Sequence, residues 1–182
     1  MLVIEALERL GVPCMVVGSL SAAAYGLQRT TQDADMVAGL RRGDGPRLAS
    51  ELGADFYIDA EVAEEAIARG SSFSVIYLPA VFKVDIFALS ARSYGQEAFA
   101  RRQRMPFAID PSRSAFVQSP EDVILSKLRW YRQGGEVSDQ QWGDVLGVLK
   151  LQAGRLDMEY LRRWAAEEKV LDLLERAVQQ AS

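Results

Sequence analysis

Hydrophobic and polar positions follow two different periods along the first part of the chain. Residues 2–10 place apolar side chains along one face of a helix, whereas residues 14–17 form a short apolar run typical of a buried strand. From residue 33 to residue 38, acidic and apolar residues alternate, which is the period-two pattern of a strand. The first part of the chain is therefore predicted to combine strands with helices.

The middle of the chain predicts two hairpins separated by a helix. Residues 73–78 and 82–89 are rich in β-branched and aromatic residues and flank a Pro-Ala-Val turn. A helix is predicted over 94–104. A second hairpin is predicted around residues 110–113, which read Asp-Pro-Ser-Arg.

Every segment after residue 118 has a helical pattern. The stretch 119–122, Ser-Pro-Glu-Asp, offers a hydroxyl cap, a proline in the first turn and acids at the positive end of the helix dipole. We therefore predict a mixed β-sheet flanked by helices over 1–118 and a helical C-terminal bundle over 119–182.

Composition limits the chemistry available to this chain of 182 residues, which carries a formal net charge of −4. It contains no histidine, which excludes a Ser-His-Asp triad and histidine metal sites. Its single cysteine, Cys14, excludes an internal disulfide and fits a reducing compartment. No segment approaches the roughly 18 uncharged apolar residues that a membrane span needs. The sequence thus predicts a cytoplasmic protein that does not bind membranes and relies on carboxylates, Lys, Arg and hydroxyl groups.

Two carboxylates are expected side by side on the strand that begins at residue 33. Asp33 and Asp35 are two residues apart, so both point to the same face of a strand. At about 4 Å and an effective dielectric near 20, their repulsion is roughly 4 kcal/mol. A cation would offset this repulsion, and an all-oxygen site suits Mg²⁺ or Mn²⁺.

Asp85 is the third candidate acid. It alternates with the apolar residues Val84 and Ile86 and therefore shares a face with Lys83. If its strand neighbours the strand of Asp33, the three carboxylates can converge. Such a site could hold two metal ions that activate a hydroxyl and stabilise a leaving pyrophosphate.

A glycine and a serine offer the complementary half of a nucleotide site. Gly18 and Ser19 follow a predicted strand and precede a predicted helix, where a phosphate can approach the backbone. Arg29 and Thr31 come just before the acids and could contact phosphate or sugar. Each feature alone is also typical of a turn or a solvated strand edge, so the prediction depends on their ordered combination.

This ordered combination resembles the nucleotidyltransferase superfamily of the DNA polymerase β type. Its spacing is more similar to the abortive-infection (AbiEii-like) toxin nucleotidyltransferases and related prokaryotic families. The resemblance implies transfer of a nucleoside monophosphate from an NTP to a hydroxyl of RNA, protein or a small molecule. It also implies that Gly18 and Ser19 hold the triphosphate, that Asp33 and Asp35 bind Mg²⁺ or Mn²⁺, and that Asp85 completes the metal site and acts as base.

The resemblance continues into the helical half at residues 119–128 and 142–145, and a toxin-like role with an antitoxin-like partner is one of its implications. Lys127 lies beside an apolar helix face. Two alternatives are open for it: its stem packs on the core while its ammonium reaches water, or its ammonium neutralises a triphosphate. Asp144 would either cap a helix or form an ion pair with a basic side chain.

Two rival functions and one surface feature also follow from the sequence. The same fold could serve as a nucleotide-binding or partner-binding module without turnover, or the acids could form a charged face of an interaction protein. Arginines at 92, 101, 102 and 104 form a local basic cluster, which is either a solvated face or a grip for RNA phosphates.

Overall fold

The computed structural model describes residues 2–27, 31, 33–106 and 113–181. The strands are β1 (Cys14–Val17), β2 (Asp33–Ala38), β3 (Phe56–Tyr57), β4 (Ser72–Tyr77), β5 (Phe82–Ala88), β6 (Gln103–Pro106) and β7 (Ser114–Val117). The helices are α1 (Leu2–Arg9), α2 (Gly18–Ala24), α3 (Asp44–Leu52), α4 (Ala60–Arg69), α5 (Ser93–Ala100), α6 (Pro120–Gln133), α7 (Asp139–Leu151), α8 (Met158–Glu167) and α9 (Leu171–Ala181), with a short 3-10 turn at Leu78–Ala80. The predicted fold class, a mixed sheet flanked by helices and followed by further helices, is confirmed.

The strands form one sheet in the order β3-β4-β5-β2-β1-β7-β6. Strand β2 lies at its centre, parallel to β5 on one side and antiparallel to β1 on the other. The pair β1 and β7 is also parallel, and the remaining pairs are antiparallel. This order makes neighbours of the two strands that carry the predicted acids.

One face of the central strands is buried in the core. Ala34, Met36 and Ala38 of β2 are at most 9% exposed, and Val84 and Ile86 of β5 are buried on the same face. Helix α1 packs on β1 and α4 packs on β4. Because side chains alternate along a strand, the acids of β2 and β5 project from the opposite face.

Helix α6 anchors the helical half to the sheet half. Its cap is as predicted, since the Ser119 hydroxyl accepts a hydrogen bond from the Asp122 amide at 3.2 Å. Its leucines 125 and 128 are fully buried, and the helix contacts α2, α7 and α8. One hydrophobic cluster contains buried residues from both sides of position 118. The division into domains at that position stays a prediction.

The helix predicted over 94–104 is shorter than the sequence pattern indicated. Helix α5 ends at Ala100, and the following residues form strand β6, which pairs with β7. The guanidinium of Arg102 donates a hydrogen bond to the carbonyl of Phe99 at 2.7 Å, which caps the last turn. Pairing with β7 thus overrides the local helical pattern. The hairpin predicted around 110–113 is confirmed by the antiparallel pairing of β6 with β7, and residues 110–112 of its turn lie outside the described residues.

Strand β3 was not predicted, because two residues are too short for a periodic pattern. Among the helices of the described ranges, none has the length and apolar character needed to cross a bilayer.

Candidate active site

The pairing register of β2 and β5 brings the three predicted acids together. Asp35 is the direct partner of Asp85, and Asp33 is the direct partner of Lys83. Neighbouring strands lie about 4.8 Å apart, and paired residues present their side chains on the same face. The convergence predicted from the sequence is therefore present at the level of the backbone. On this face one lysine lies among three carboxylates, with Lys83 beside Asp33 and Asp85 beside Asp35.

Asp85 is held by two donors that the sequence interpretation did not assign. The Ser74 hydroxyl donates to its Oδ1 at 2.6 Å, and the Lys83 ammonium lies 2.6 Å from its Oδ2. Burial acts to raise the pKa of Asp85, but the hydrogen bonds from Lys83 and Ser74 outweigh burial and leave this pKa below its ordinary value. Asp85 is therefore a fixed, ionised carboxylate.

Asp35 has the opposite electrostatic environment. Burial raises its pKa, and the negative charges of Asp33 and Asp85 raise it further, against a smaller lowering by Lys83 and Lys127. The raised pKa means that negative charge at this position is only partly compensated. A cation bound here would relieve that repulsion.

Gly18 is in close contact with Asp35. The glycine has φ of +65°, and a Cβ added to it would lie 2.4 Å from Asp35 Oδ2. A residue with a side chain would therefore meet both a strained backbone and a clash. The glycine that the sequence assigned to phosphate binding also makes room for the central carboxylate.

A cavity of about 500 Å³ opens beside these groups. Asp35, Gly18, Ser19 and Lys127 all contribute to its wall. Four of the predicted site residues, drawn from β2, α2 and α6, thus face one space. Its volume lies within the range of small-molecule sites.

Of the two residues predicted to contact phosphate or sugar, the structure describes Thr31 and not Arg29. The Thr31 hydroxyl donates to Asp33 Oδ1 at 2.7 Å and lies 3.1 Å from the Asp33 carbonyl oxygen. Thr31 therefore orients an acid in this structure, and its predicted contact with phosphate or sugar stays a prediction. Arg29 lies outside the described residues.

Lys127 is buried, with 3% of its surface exposed. Its ammonium lies 2.7 Å from Asp144 Oδ2, and the Asp144 side chain is itself 12% exposed. The alternative in which the ammonium reaches water is therefore wrong. The charge is instead held inside the cavity wall by Asp144 of α7, so that Asp144 takes the second of its two predicted roles, pairing with a basic side chain.

The donor chemistry of the acids fits a hard divalent cation, although a closed metal site is not formed. Three carboxylates at neighbouring register positions offer only oxygen ligands, as Mg²⁺ and Mn²⁺ prefer. Within the described part of the chain, no three acidic or Cys side chains are arranged to hold a metal ion. The Lys83 ammonium instead contacts Asp85 at 2.6 Å. The Lys83 ammonium would therefore compete with a metal ion for Asp85.

The sequence interpretation placed Lys83 on the face of Asp85 but gave it no role, and it did not mention Ser74. The alternation of Lys83 with Asp85 along one strand could have indicated that the lysine contacts the acid. The predicted hairpin of β4 with β5 could have indicated Ser74, because it sets Ser74 opposite Asp85.

The predicted basic cluster is divided by the fold. Arg101 pairs with Glu121 at 3.4 Å, and Arg104 donates to the Ser114 hydroxyl at 2.7 Å. The guanidinium of Arg102 lies over the rings of Phe99 and Phe116. Of the four arginines, Arg92 is the one that lines the cavity within the described residues.

No protein-family model and no curated protein sequence matches the chain. Solved structures do show similarity of fold. Antibiotic-resistance factor ANT(2'')-Ia in solution is 14% identical, with a TM-score of 0.52 over 98% of this chain and 94% of that chain. The same factor in complex with adenylyl-2"-tobramycin is 13% identical, with a TM-score of 0.57 over 92% and 93%.

A third solved structure is also similar in fold. The lincosamide antibiotic adenylyltransferase LnuA, bound to lincomycin, is 12% identical, with a TM-score of 0.54 over 82% of this chain and 93% of that chain. The chain has a nucleotidyltransferase fold. At such low identity the similarity extends to the fold alone, and the resemblance to the AbiEii-like families has no counterpart among these structures.

Proposed function

We propose that the chain is a metal-dependent nucleotidyltransferase that moves a nucleoside monophosphate from an NTP to an acceptor hydroxyl. The register that sets Asp35 against Asp85, with Asp33 on the same face, is the observation that supports this most. The fold shared with the lincosamide antibiotic adenylyltransferase LnuA supports the proposed class of reaction. The acids alone would also fit a charged surface, but the cavity of about 500 Å³ lined by Asp35, Gly18 and Ser19 favours a binding site.

In this proposal each residue has a distinct task. Asp33, Asp35 and Asp85 would hold Mg²⁺, which would supply Lewis-acid chemistry that neutralises the reacting phosphates and the leaving pyrophosphate. Gly18 and Ser19 would contact the triphosphate. Arg29 and Thr31 would make further contacts with the nucleotide. Lys127 would supply a counter-charge for the triphosphate.

The transfer forms one bond and breaks another. The acceptor oxygen attacks the α-phosphorus, and the bond to the β-phosphate oxygen breaks so that pyrophosphate leaves with the electron pair. Asp85 would accept the hydroxyl proton. Because Lys83 and Ser74 hold the pKa of Asp85 low, this proton transfer becomes easier when Lys83 moves away.

The acceptor classes foreseen from the resemblance are RNA, a protein hydroxyl and a small molecule. A toxin-like role belongs with an RNA or protein acceptor, and an antitoxin-like partner and a cytoplasmic location would accompany it. A small acceptor fits the antibiotic-bound structures of the same fold, since their ligands are small molecules.

Label transfer tests the proposal. The protein is incubated with Mg²⁺, NTPs labelled at the α-phosphate, and separate RNA, protein and small-molecule fractions of a cell extract. We expect label in one fraction with wild type and its loss in Asp35→Asn and Asp85→Asn. Asp55→Asn changes an exposed acid away from the cavity and should transfer label as wild type does.

A second candidate is a binding module of the same fold that does not turn over. The contact between Lys83 and Asp85 favours it, because an ammonium on a proposed metal ligand satisfies the carboxylate without a metal. This candidate predicts NTP binding by calorimetry without label in any of the three fractions. Label transferred by wild type and lost in Asp85→Asn excludes it.

A further inference from the structure

Two arginines and one glutamate form a polar site in the wall of the cavity. Glu168 follows α8, and its side chain is 9% exposed. Its Oε2 lies 2.9 Å from Arg129 Nε of α6, and its Oε1 lies 3.9 Å from an Arg92 nitrogen at the start of α5. Three separate segments thus meet at one carboxylate. One carboxylate neutralises one guanidinium, so the site keeps an excess of one positive charge.

The three residues lie where two cavities join. Arg92, Arg129 and Glu168 line both the cavity of about 500 Å³ and a neighbouring one of about 250 Å³. Gly18, Ser19 and Lys127, which are proposed to hold the triphosphate, line the larger cavity and not the smaller one. The smaller cavity beside the two arginines is therefore space that these proposed triphosphate contacts leave for an acceptor.

We infer that the acceptor is a small anionic molecule whose phosphate or carboxylate group is bound by Arg92 and Arg129, an inference that rests on the proposed function. The planar guanidinium presents paired donors that match both kinds of anion. Glu168 fixes Arg129 and holds Arg92 nearby. An acceptor bearing several ammonium groups would meet the excess positive charge and be disfavoured.

The structure favours a small acceptor over RNA. The larger cavity, of about 500 Å³, has the volume of a small-molecule site, and the neighbouring one, of about 250 Å³, is smaller still. A polynucleotide would need further cations along its path, yet Arg101 and Arg104 line neither cavity. The net charge of −4 offers a polyanion no general attraction.

The test separates acceptors by charge. An ultrafiltered small-molecule extract is divided by anion and cation exchange, and half of each fraction is treated with a phosphatase that is then removed. Each fraction is incubated with Mg²⁺ and α-labelled NTPs. We expect label only in products from the anion-exchange fraction. Loss of labelling after phosphatase assigns the anion as phosphate, and persistence assigns it as carboxylate.

Two variants tie the result to the site. Arg92→Gln should lower the labelling rate at limiting acceptor by about tenfold or more, the scale of a lost charge-assisted hydrogen bond. Arg129→Lys keeps the charge next to Glu168 but loses the paired donors, and should lower it as well. The control is Arg162→Gln, because Arg162 Nε makes the same 2.9 Å contact with Glu175 on an exposed face of α8. NTP binding should be unchanged in all three.

Several outcomes would overturn the inference. Label in the cation-exchange or unretained fraction contradicts the inference. Label found only in the RNA that the filter retains contradicts it as well. Each of these results leaves the proposed function intact. Arg92→Gln labelling at the wild-type rate also contradicts it. No label in any fraction, with an NTP analogue that still binds, contradicts the proposed function, and the inference falls with it.

Discussion

A Cβ at position 18 would lie 2.4 Å from Asp35 Oδ2, so the first residue of α2 and the central acid of β2 share one small space. Gly18→Ala should therefore destabilise the fold in two ways. The left-handed backbone costs about 1 kcal/mol or more for a residue with a side chain, and displacement of Asp35 adds to it. The measurement is the free energy of unfolding in urea.

Gly11→Ala is the matched control for that substitution. Gly11 has φ of +70°, but nothing lies within 4 Å of its added Cβ. Gly11→Ala should therefore lower the free energy of unfolding only through the strain of the left-handed backbone. In a double-mutant cycle, Asp35→Ala should recover part of the extra loss at position 18. Equal destabilisation by the two glycine substitutions would show that the contact with Asp35 has no energetic effect.

Asp35→Asn should stabilise the metal-free protein at neutral pH. Removing one of two like charges that face each other on neighbouring strands should raise the free energy of unfolding by roughly 0.2–1 kcal/mol. The pKa of Asp35 is raised in the folded state from its ordinary value of 3.8, so the folded protein binds more protons just above that pH. The free energy of unfolding contributed by Asp35 therefore falls as pH rises from 3.8 through the raised pKa and is constant above it.

Denaturant unfolding of wild type and Asp35→Asn at a series of pH values checks this. The advantage of Asn over Asp should grow with pH through that window and then level off. Groups common to both proteins, such as the buried Asp122, cancel in the difference. Mg²⁺ should stabilise wild type more than the variant. A variant that is less stable than wild type at neutral pH without metal would contradict the electrostatic account.

Lys83→Met should increase affinity for Mg²⁺. The ammonium contacts Asp85 at 2.6 Å and competes with a cation for the same oxygen. Removing a repelling unit charge a few ångströms from the bound ion should strengthen binding by about 1 kcal/mol or more, so affinity for Mg²⁺ should rise about fivefold. Calorimetric titration with Mg²⁺ measures it. Lys150→Met, an exposed lysine at the end of α7, should bind Mg²⁺ as wild type does. Unchanged or weaker binding by Lys83→Met would argue against a metal site at Asp85.

Lys127→Met should be strongly destabilising, by about 3 kcal/mol, because it removes one partner of a buried ion pair. The double variant Lys127→Met with Asp144→Leu should recover much of the stability, since neither charge is then buried alone. NTP affinity should not recover, because the proposed counter-charge for the triphosphate is absent. Recovery of both stability and NTP affinity would make Lys127 a purely structural residue.

The sequence was most informative where local patterns and side-chain chemistry agreed. Alternation along 33–38 placed Asp33 and Asp35 on one face, and the apolar neighbours of Asp85 placed it on an outward face. What joined them was the parallel pairing of β2 with β5, which depends on contacts distant in sequence. The Ser119 cap was predictable because its hydrogen bond is local.

The sequence was least informative about charge pairing. The contact of Glu168 with two arginines does not follow from periodicity, because it depends on how separate segments pack. Periodicity put Lys83 and Asp85 on one face of a strand, but it did not show that their charges pair. The end of α5 was missed for a related reason. Strand β6 forms only because β7 is available to pair with it, and its own residues carry no strong strand pattern.

The central claim is that these acids support transfer of a nucleoside monophosphate, and the balance of its two products tests it most directly. Wild type is incubated with Mg²⁺, an NTP labelled at the α-phosphate and the acceptor fraction, and released pyrophosphate is measured beside label bound to acceptor. The account predicts equal amounts of both, dependent on Mg²⁺ and lost in Asp85→Asn. Label transfer that persists in Asp85→Asn, or wild-type NTP binding with neither product, would contradict it.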